Sequence, residues 1–575
     1  MPSPAAELTP RISAAIAAAF GDDYADCDPV LRPSQFADLQ ANAAPALARS
    51  LSMQPREVAE KIVQQLDVDE ICSAVEISGP GFLNITMADE WVGGQATALA
   101  SDSRLGVPRP HQRTVAIDYS APNVAKEMHA AHLRTTVVGD ALARTLEQLG
   151  HVVIRQNHIG DWGTPFGMLI EHLLDVGENS RQAELVESDP NAFYQVARQK
   201  FDSDSDFATR ARNRVVALQA GDPDTVRFWQ ELVDLSKLYF NRIYSALGVT
   251  LTDDDLAGES IYNDELASIC DELESKGIAT ISDGALCVFL GGYTGREGKP
   301  VPLIIRKSDG GYGYGTTDLA TIKYRVQKLH ADRVLYVIGA PQALHLNMVW
   351  DTARLAGWLP EDVDVVHVQI GNVLGPDRKM MRTRSGNPLR LMDLVQEANT
   401  KARKVIDQSR PDLDAGTRAA IAPQIGVGAI KYADLSVAHD TEYVFDLDRM
   451  LNLTGNTGPY LQYAAARIRS IFRNAASADV TGPVSVVEPG ERALSLVLLE
   501  FGGVVEQVGE QLEPHRLCGY LFDLAQTFSA FYENCPVLKA PHPAVRTSRL
   551  TLCDLTLRVL VQGLDLLGLQ SPERM

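Results

Sequence analysis

Short apolar runs alternate with longer runs of helical period through the middle of the chain. Residues 114–117 (TVAI) form an apolar run of strand length, and residues 152–154 (VVI) form another. Between them apolar residues recur at helical spacing, which predicts a helix from near His132 to Gly150. The unit therefore indicates strand, loop, helix and strand, with a right-handed parallel crossover.

The same alternation continues to about residue 370, with further strand-like runs at 333–339 and 364–371. Strands that alternate with helices predict an α/β fold, here a doubly wound parallel (Rossmann-like) sheet. One part of this region, about residues 171–247, is charged and helical with few strand signals, so we interpret it as a helical insertion. The central domain is expected to span residues 113–395.

Two different patterns flank the central domain. Residues 1–105 combine helical periodicity with an alternating segment (AVEISGPGFLNITM), which predicts an N-terminal α+β domain. After it, residues 396–455 predict a helical connector, and residues 456–575 predict an all-α helical bundle. Within the bundle, after the helix that starts near residue 457, helices are expected near 490–512, 515–533 and 543–567.

Composition limits the protein class. The chain has 575 residues, of which 45% are hydrophobic and 22% charged, as in ordinary globular proteins. No apolar run approaches the length that spans a membrane, and the N-terminus has no basic segment typical of a signal peptide. The seven cysteines are scattered without a Cys-x-x-Cys pair, so we expect free thiols, a cytoplasmic location and no protein metal site.

The formal net charge is −21, from 74 acidic and 53 basic residues. Such a balance argues against non-specific binding of nucleic acid, which requires positive potential. A structured nucleic acid that is held by local basic patches remains compatible with it.

Two histidines, His129 and His132, stand at the predicted entrance to the first central helix. Imidazoles beside unpaired backbone N–H groups suit a phosphate that gains negative charge during a reaction. The spacing alone leaves two other interpretations open: a helix cap with a surface histidine, or a His-x-x-His zinc pair.

Glu259, Tyr314 and Asp318 suit a different ligand. A guanidinium group is planar, always charged and carries five donors, so a pocket that holds it needs carboxylates. From the residues alone, Asp318 as a helix N-cap and Glu259 as a solvated turn residue remain the alternatives.

The segment SAPNVAKEMHAAHLRTTVVGD resembles the HIGH signature region of class I aminoacyl-tRNA synthetases, specifically of the arginyl-tRNA synthetases. That family has Ser-x-Pro-Asn-x-x-Lys followed by His-x-Gly-His-Leu-Arg. Ala131 departs from the pattern, because the family usually has a glycine there, which lets adenine approach the backbone closely. The resemblance extends over essentially the whole chain.

The resemblance implies an arginine pocket. Glu259, Tyr314 and Asp318 match the family's residues for the guanidinium, whereas Asn123 and Gln342 match those for the α-amino and carboxylate end. A site built from such hydrogen bonds rejects analogues that lack the groups by about 10⁴–10⁵. No editing domain is therefore needed, and the sequence indicates none.

The resemblance also implies residues for the nucleotide. The expected ATP-binding residues are His129, His132, Gly160, Asp161, His345, Gly371, Val373 and Leu374. Residues 371–391 resemble the second class I signature, KMSKS, in an altered form whose register stays open. The expected catalytic residues are His129, His132, Lys126, Lys379, Arg382 and Arg384, with Lys126 taking the part of the missing second lysine of that signature.

Two groups of residues are candidates for contacts with tRNA. The N-terminal domain resembles the additional domain with which this family contacts the tRNA elbow, and the resemblance implies D-loop contacts for Phe36, Gln40 and Asn42. An aromatic ring with amides suits an unstacked base. In the bundle the candidates for anticodon bases are Tyr460, Tyr463 and Arg467, which share one helix face. The alternatives are a core position for Phe36, helix-capping amides, and tyrosines packed within the bundle.

The implied function is ATP-dependent activation of L-arginine to arginyl-adenylate, followed by transfer to the 3′-terminal adenosine of tRNA(Arg). The expected cofactors are ATP and its Mg²⁺, the expected partners are tRNA(Arg), L-arginine and ATP with no membrane, and a monomer is expected. Two alternatives remain: a side-pathway arginyl-tRNA synthetase, and a tRNA-binding relative with impaired catalysis.

Overall fold

The computed structural model describes residues 3–178, 180–295, 298–379, 381, 389–475 and 482–575. The chain forms two compact units. One comprises residues 1–110, 453–565 and 570–575, and the other comprises residues 111–452 and 566–569.

The N-terminal part of the first unit is an α+β domain, as its sequence pattern predicts. Its elements are α1 (Pro4–Phe20), β1 (Leu31–Pro33), β2 (Leu39–Ala41), α2 (Ala43–Leu51), α3 (Pro55–Gln65), β3 (Cys72–Ser78), β4 (Phe82–Met87) and α4 (Asp89–Ser101). The four strands form an antiparallel sheet in the order β1-β2-β4-β3. Apolar residues at helical spacing on α1, including Leu8, Ile12 and Ile16, are buried in the core beside the sheet residue Ile85.

The second unit contains the predicted parallel sheet. Its first elements are β5 (Thr114–Asp118), α5 (Ala130–Leu149), β6 (Val152–Gln156), α6 (Thr164–Val176), α7 (Leu185–Ser188), α8 (Pro190–Ser203), α9 (Ser205–Gln219), α10 (Pro223–Leu247) and α11 (Asn263–Ser275). The next are β7 (Ala279–Ser282), β8 (Ala285–Thr294), β9 (Pro300–Arg306), α12 (Tyr314–Gln327), β10 (Arg333–Gly339), α13 (Ala343–Leu355) and β11 (Asp364–Ile370). The last are β12 (Val373–Leu374), α14 (Leu391–Ser409), α15 (Ala415–Leu435), β13 (Tyr443–Val444) and α16 (Leu447–Met450).

The strand order in the parallel sheet is β11-β10-β5-β6. From β5 the chain first moves to β6 on one side, and later to β10 and β11 on the other. The order therefore reverses between β5 and β10, and in open parallel sheets the crevice at this point, beyond the carboxyl ends of the strands, is where ligands bind. Strands β7, β8 and β9 form a separate antiparallel sheet.

Helix α5 begins two residues before the predicted start at His132. It begins at Ala130, and His129 occupies the N-cap position. The early start has a local cause, because the Nδ1 atom of His132 accepts a hydrogen bond from the backbone N–H of His129 at 3.1 Å. A side chain of the first turn thus satisfies a backbone donor at the helix entrance.

The C-terminal residues of the chain are helical, as predicted. The helices are α17 (Gly458–Asn474), α18 (Pro489–Leu499), α19 (Phe501–Gln511), α20 (Pro514–Asn534) and α21 (Pro543–Leu566). The expectation of one helix near 490–512 is wrong, because the helix is interrupted at Glu500. The second helix lies directly against the backbone of residue 106: a Cβ atom on Gly502 would be 2.1 Å from the carbonyl oxygen of Gly106.

No helix within the described ranges has both the length and the apolar composition needed to cross a lipid bilayer.

Candidate active site

A cavity of about 960 Å³ lies in the second unit at the carboxyl ends of its parallel strands. Asp118 at the end of β5, Gly339 at the end of β10 and Gly371 just after β11 line it. The cavity thus occupies the crevice at which the strand order reverses, where the topology alone predicts a ligand site.

The loop from β5 to α5 forms one wall of the cavity and has an unusual backbone. Ser120, Ala121 and Ala125 all have positive φ angles, of 70°, 44° and 58°. Residues with a Cβ atom rarely adopt this conformation unless their surroundings impose it. The loop therefore needs partners that hold it in place.

Side chains of residues that follow β6 in the sequence supply some of these partners. The Ser120 hydroxyl lies 2.8 Å from the hydroxyl of Tyr244 on α10. The Asn157 amide donates to the same Tyr244 oxygen at 3.0 Å, and its carbonyl oxygen accepts from the backbone N–H of Ala121 at 3.1 Å. This buried network determines the backbone of residues 120 and 121 and thereby the shape of the cavity wall.

The two histidines lie together at the start of α5, with their ring centroids 4.1 Å apart. His132 lines the cavity. Burial, followed by the charges of His129 and Lys126, lowers the pKa of His132 to about 3, and burial followed by Lys126 lowers the pKa of His129. His132 is therefore neutral, and because its Nδ1 atom accepts a hydrogen bond, the proton resides on Nε2 as a donor.

Two carboxyl groups, Glu259 and Asp318, line another part of the same cavity. Burial, and then repulsion by Asp318 and Asp161, raises the pKa of Glu259 to about 8. A cation placed beside these groups would favour the charged form of Glu259 and reverse the shift. The acidic corner, defined as Glu259 with Asp318, is therefore a site whose chemistry favours a positively charged ligand.

A histidine lies beside the acidic corner. His345 Nε2 lies 2.6 Å from Asp318 Oδ2, and this hydrogen bond raises the pKa of His345. The resemblance associates His345 with ATP, whereas the contact associates it with Asp318. Both residues line the cavity.

Asp161 is hydrogen-bonded to the residue that follows Glu259. Its carboxylate accepts hydrogen bonds from the backbone N–H of Ser260 at 2.9 Å and from the Ser260 hydroxyl at 2.6 Å. A Cβ atom on Gly258 would lie 2.3 Å from the same carboxylate, so only glycine fits there. Asp161, expected as an ATP ligand, does not line the cavity and instead holds the segment that carries Glu259.

Of the other residues expected to bind arginine, Tyr314 and Gln342 line the cavity, although 72% of the Tyr314 surface is exposed. Asn123 is not in the lining. Its backbone pairs with that of Gly160, and a Cβ atom on Gly160 would lie 2.8 Å from the Asn123 side-chain oxygen. Gly160 therefore lies directly against Asn123.

In the second signature region Gly371 and Val373 line the cavity, whereas Leu374 does not. The short strand Val373–Leu374 pairs with Tyr443–Val444, which fixes this segment to a later part of the unit. Lys379 closes a turn in which its carbonyl oxygen accepts from the backbone N–H of Gly375 at 2.7 Å, and it does not line the cavity. Arg382 and Arg384 lie outside the described residues.

The model of the tRNA synthetases class I (R) catalytic domain matches residues 95–447, more than half of the chain. The models of the arginyl tRNA synthetase N terminal domain and of the DALR anticodon binding domain match residues 6–87 and 461–575. The chain belongs to the arginyl-tRNA synthetase family. The fold class expected from the sequence is therefore confirmed, and so is the family resemblance.

Individual relatives agree with this assignment. An arginine–tRNA ligase of Thermobifida fusca is 67% identical over 577 residues, with 100% of both chains covered. One of Frankia casuarinae is 52% identical, with 96% of both chains covered. Among solved structures, the arginyl-tRNA synthetase of Plasmodium falciparum matches with a TM-score of 0.85 at 27% identity, with 100% of both chains covered.

The structure of this arginyl-tRNA synthetase family member also reveals cavity residues that the sequence reasoning did not identify. Asp118, Ser120, His158 and Tyr336 all line the cavity. Asp118 is paired with the fully buried Arg325 at 2.8 Å. The sequence signal for Asp118 is its place at the end of an apolar strand, and Ser120 is the first residue of the Ser-x-Pro-Asn-x-x-Lys motif.

The candidate tRNA contacts lie in the first unit. Phe36 is 82% exposed, so it is not a core residue. Gln40 donates a hydrogen bond from its side chain to Asn84 of the neighbouring strand at 2.8 Å, and Asn42 occupies the N-cap position of α2 without a side-chain cap bond. Of the three, Phe36 alone presents a large side chain to solvent.

The three residues on α17 differ in their surroundings. Tyr463 is 40% exposed, whereas the ring of Tyr460 packs edge-on against Phe522 with centroids 5.7 Å apart. The Arg467 guanidinium lies 5.1 Å from the ring centroid of Tyr532. Tyr460 is thus partly a packing residue of the bundle, as one alternative expects.

Proposed function

We propose that the chain is an arginyl-tRNA synthetase that activates L-arginine with ATP and transfers it to the 3′-terminal adenosine of tRNA(Arg). One observation carries this conclusion: the acidic corner and His132 line the same cavity. A molecule with a cationic end and a carboxylate end can therefore contact the corner at one end and meet a nucleotide beside the histidines at the other.

The arginine side chain is the ligand that the acidic corner suits best. Its planar guanidinium offers several parallel N–H donors, and Glu259 and Asp318 offer carboxylate acceptors. A bound guanidinium lowers the pKa of Glu259 from about 8, so arginine binding releases a proton at neutral pH. Tyr314 and Gln342 line the same cavity, and Gln342 together with Asn123 of the loop before α5 is assigned to the α-amino and carboxylate end of arginine.

The start of α5 suits the phosphates of ATP. His132 is neutral and can donate a hydrogen bond from Nε2, and His129 lies beside it. In the first step the arginine carboxylate attacks the α-phosphorus, a new C–O–P bond forms, and the bond to pyrophosphate breaks. Positioning and charge neutralisation contribute most of the catalysis in such transfers.

Cations complete the nucleotide site. Lys126 lies close enough to lower the pKa of both histidines, and Lys379, Arg382 and Arg384 belong to the second signature region. ATP enters as its Mg²⁺ complex. Among the described residues no group of three or more histidine, cysteine, aspartate or glutamate side chains could hold a metal ion, so we expect the phosphates to carry it.

In the second step a ribose hydroxyl of the terminal adenosine attacks the arginyl carbonyl carbon and AMP leaves. We assign tRNA contacts to the N-terminal domain (1–105), through Phe36, and to the bundle (456–575), through Tyr463 and Arg467. The family-model matches at 6–87 and 461–575 lie within these two domains. The catalytic domain is assigned to 113–395, with its insertion at about 171–247 and the connector at 396–455. We expect a cytoplasmic monomer.

Pyrophosphate exchange into ATP tests the proposal. The protein should catalyse exchange with arginine, most strongly with tRNA(Arg) present, and should not do so with lysine or with citrulline, the neutral isostere of arginine. Canavanine, which keeps the guanidinium-like end, should be accepted to some extent. Binding of tRNA without arginine-dependent exchange would contradict the proposal and indicate a tRNA-binding relative.

A further inference from the structure

The helical insertion contacts the cavity loop at a charged residue. The ammonium nitrogen of Lys126 lies 4.1 Å from the ring centroid of Tyr194, which is on α8. This distance is well within the range in which a cation is attracted to an aromatic face. Lys126 itself does not line the cavity, so the direction of its flexible side chain determines what its charge can reach.

Two observations connect this pair with the reaction site. The charge of Lys126 contributes to the lowered pKa of both His129 and His132, so the ammonium group lies near the imidazoles. On its other side Tyr194 is close enough to Tyr314, at the cavity, to contribute to the raised pKa of that phenol. Tyr194 is therefore in contact with the loop lysine and belongs to the electrostatic surroundings of the cavity residue Tyr314.

The insertion also fixes the backbone on both sides of Lys126. The N–H of Ala125, whose φ angle is 58°, donates to the Ser236 hydroxyl on α10 at 2.9 Å. The N–H of Glu127 donates to the Asn191 side chain on α8 at 3.2 Å, and Asn191 donates back to the Glu127 carboxylate at 2.8 Å. Lys126 thus starts from a fixed backbone, and only its side chain is left to be oriented.

We propose that Tyr194 is a positioning residue for Lys126. A lysine side chain has four rotatable carbon–carbon bonds, and many of its orientations would direct the charge away from the histidines. The ring face of Tyr194 favours the orientations in which the ammonium group stays beside His129 and His132. The inference rests on the proposed function, in which Lys126 neutralises charge on the phosphates of ATP.

The test compares the ring with its hydroxyl. Tyr194→Leu removes the aromatic face, and its kcat for arginine-dependent pyrophosphate exchange should fall about tenfold, the range expected for a partly desolvated cation–π contact. Tyr194→Phe keeps the face and should recover most of that loss. Tyr194→Met, a second replacement without a ring, should resemble Tyr194→Leu and covers the case in which the leucine variant does not fold.

Phe201→Leu is the matched control. Phe201 lies on the same helix and its ring faces Arg198 of α8 and Arg212 of α9, so its loss also removes cation–π contacts, and both of these involve arginines of the insertion rather than Lys126. Its exchange rate should equal that of the unmodified protein. An equal loss in this variant would indicate that general damage to α8, rather than the position of Lys126, lowers the rate, and would overturn the inference.

A double-mutant cycle with Lys126→Met separates the inference from the function on which it rests. If Tyr194 acts through Lys126, adding Tyr194→Leu to Lys126→Met should cause no further loss of kcat. Three outcomes would each overturn the inference and leave the proposed function intact. They are additive losses, a Tyr194→Leu variant as active as the unmodified protein, and a Tyr194→Phe variant as impaired as Tyr194→Leu. Full activity of Lys126→Met would instead contradict the proposed role of Lys126, and the inference would fail with it.

Discussion

The catalytic unit holds its carboxylates in two different kinds of environment. Asp434 is fully buried and pairs with the equally buried Arg134 at 2.8 Å, and Asp118 pairs with the buried Arg325. Glu259 and Asp318 contrast with them. Within the described residues neither forms an ion pair with a lysine or arginine of the chain, and Asp318 has His345 as its partner.

The difference separates carboxylates whose guanidinium partner is part of the fold from carboxylates that are suited to a guanidinium ligand. A buried carboxylate without a cation is costly, and in the first pair of sites the chain supplies an arginine itself. In the acidic corner the two carboxylates repel each other, and burial with this repulsion raises the pKa of Glu259 to about 8. The corner is thus suited to receive from solution the same chemical group that the chain places beside Asp118 and Asp434.

The largest effect should come from the corner. Asp318→Asn keeps the shape but removes a charge that a bound guanidinium would contact, so kcat/KM for arginine should fall about 10³-fold. Thermal stability should stay unchanged or rise slightly, because the repulsion of Glu259 is relieved. Steady-state exchange and a melting curve measure both, with the exposed Asp309→Asn as control. A nearly normal kcat/KM would remove Asp318 from the pocket.

The buried pair of Asp434 and Arg134 should show the opposite pattern, with a loss of stability and little change in KM for arginine. Asp434→Asn leaves Arg134 buried without its counter-charge and should lower the free energy of unfolding by about 3 kcal/mol. At a temperature well below the melting point, KM for arginine should change less than about twofold, because Asp434 does not line the cavity. Urea unfolding measures the first quantity. Equal effects of Asp318→Asn and Asp434→Asn on both quantities would remove the distinction between the two classes of carboxylate.

A change of pH should have a smaller effect on KM for arginine. Below its pKa of about 8 Glu259 carries a proton that arginine must displace, since the guanidinium favours the carboxylate form. KM for arginine should therefore fall about tenfold from pH 6.5 to 7.5 and become constant above about pH 8.5. Glu259→Gln should bind arginine weakly at every pH and lose this dependence. A KM that rises with pH in the unmodified protein would give the linkage the wrong sign.

The smallest effect should be that of Tyr314→Phe. Because most of the Tyr314 surface is exposed, its hydroxyl exchanges a bond with water for one with the ligand, and kcat/KM for arginine should fall only about threefold. Tyr312→Phe, outside the cavity lining, should have no effect. A loss as large as that of Asp318→Asn would place the phenol on the same level as the carboxylates.

The sequence indicated the parallel sheet and the main chemical groups because both follow from local patterns. Apolar runs and helical spacing predict β5, α5 and β6, and the family resemblance, together with the chemistry of a guanidinium, indicates Glu259 and Asp318. The hydrogen bond between His345 and Asp318 joins two different helices, and no local pattern encodes it.

The support of the cavity loop could not be predicted either. Tyr244, Ser236 and Asn191 lie on insertion helices, where their spacing does not distinguish them from solvent-facing or core residues. The positive φ angles of Ser120 and Ala121 arise from these distant contacts rather than from the residues themselves. The close approach of α19 to the backbone at residue 106 is likewise a contact between segments that are distant in the sequence.

The most direct measurement is a crystal structure with bound arginine. The guanidinium nitrogens should lie about 2.7–2.9 Å from carboxylate oxygens of both Glu259 and Asp318, with the arginine carboxylate directed toward His132. A guanidinium bound beside Asp118 in place of Arg325, or anywhere outside the acidic corner, would contradict the account.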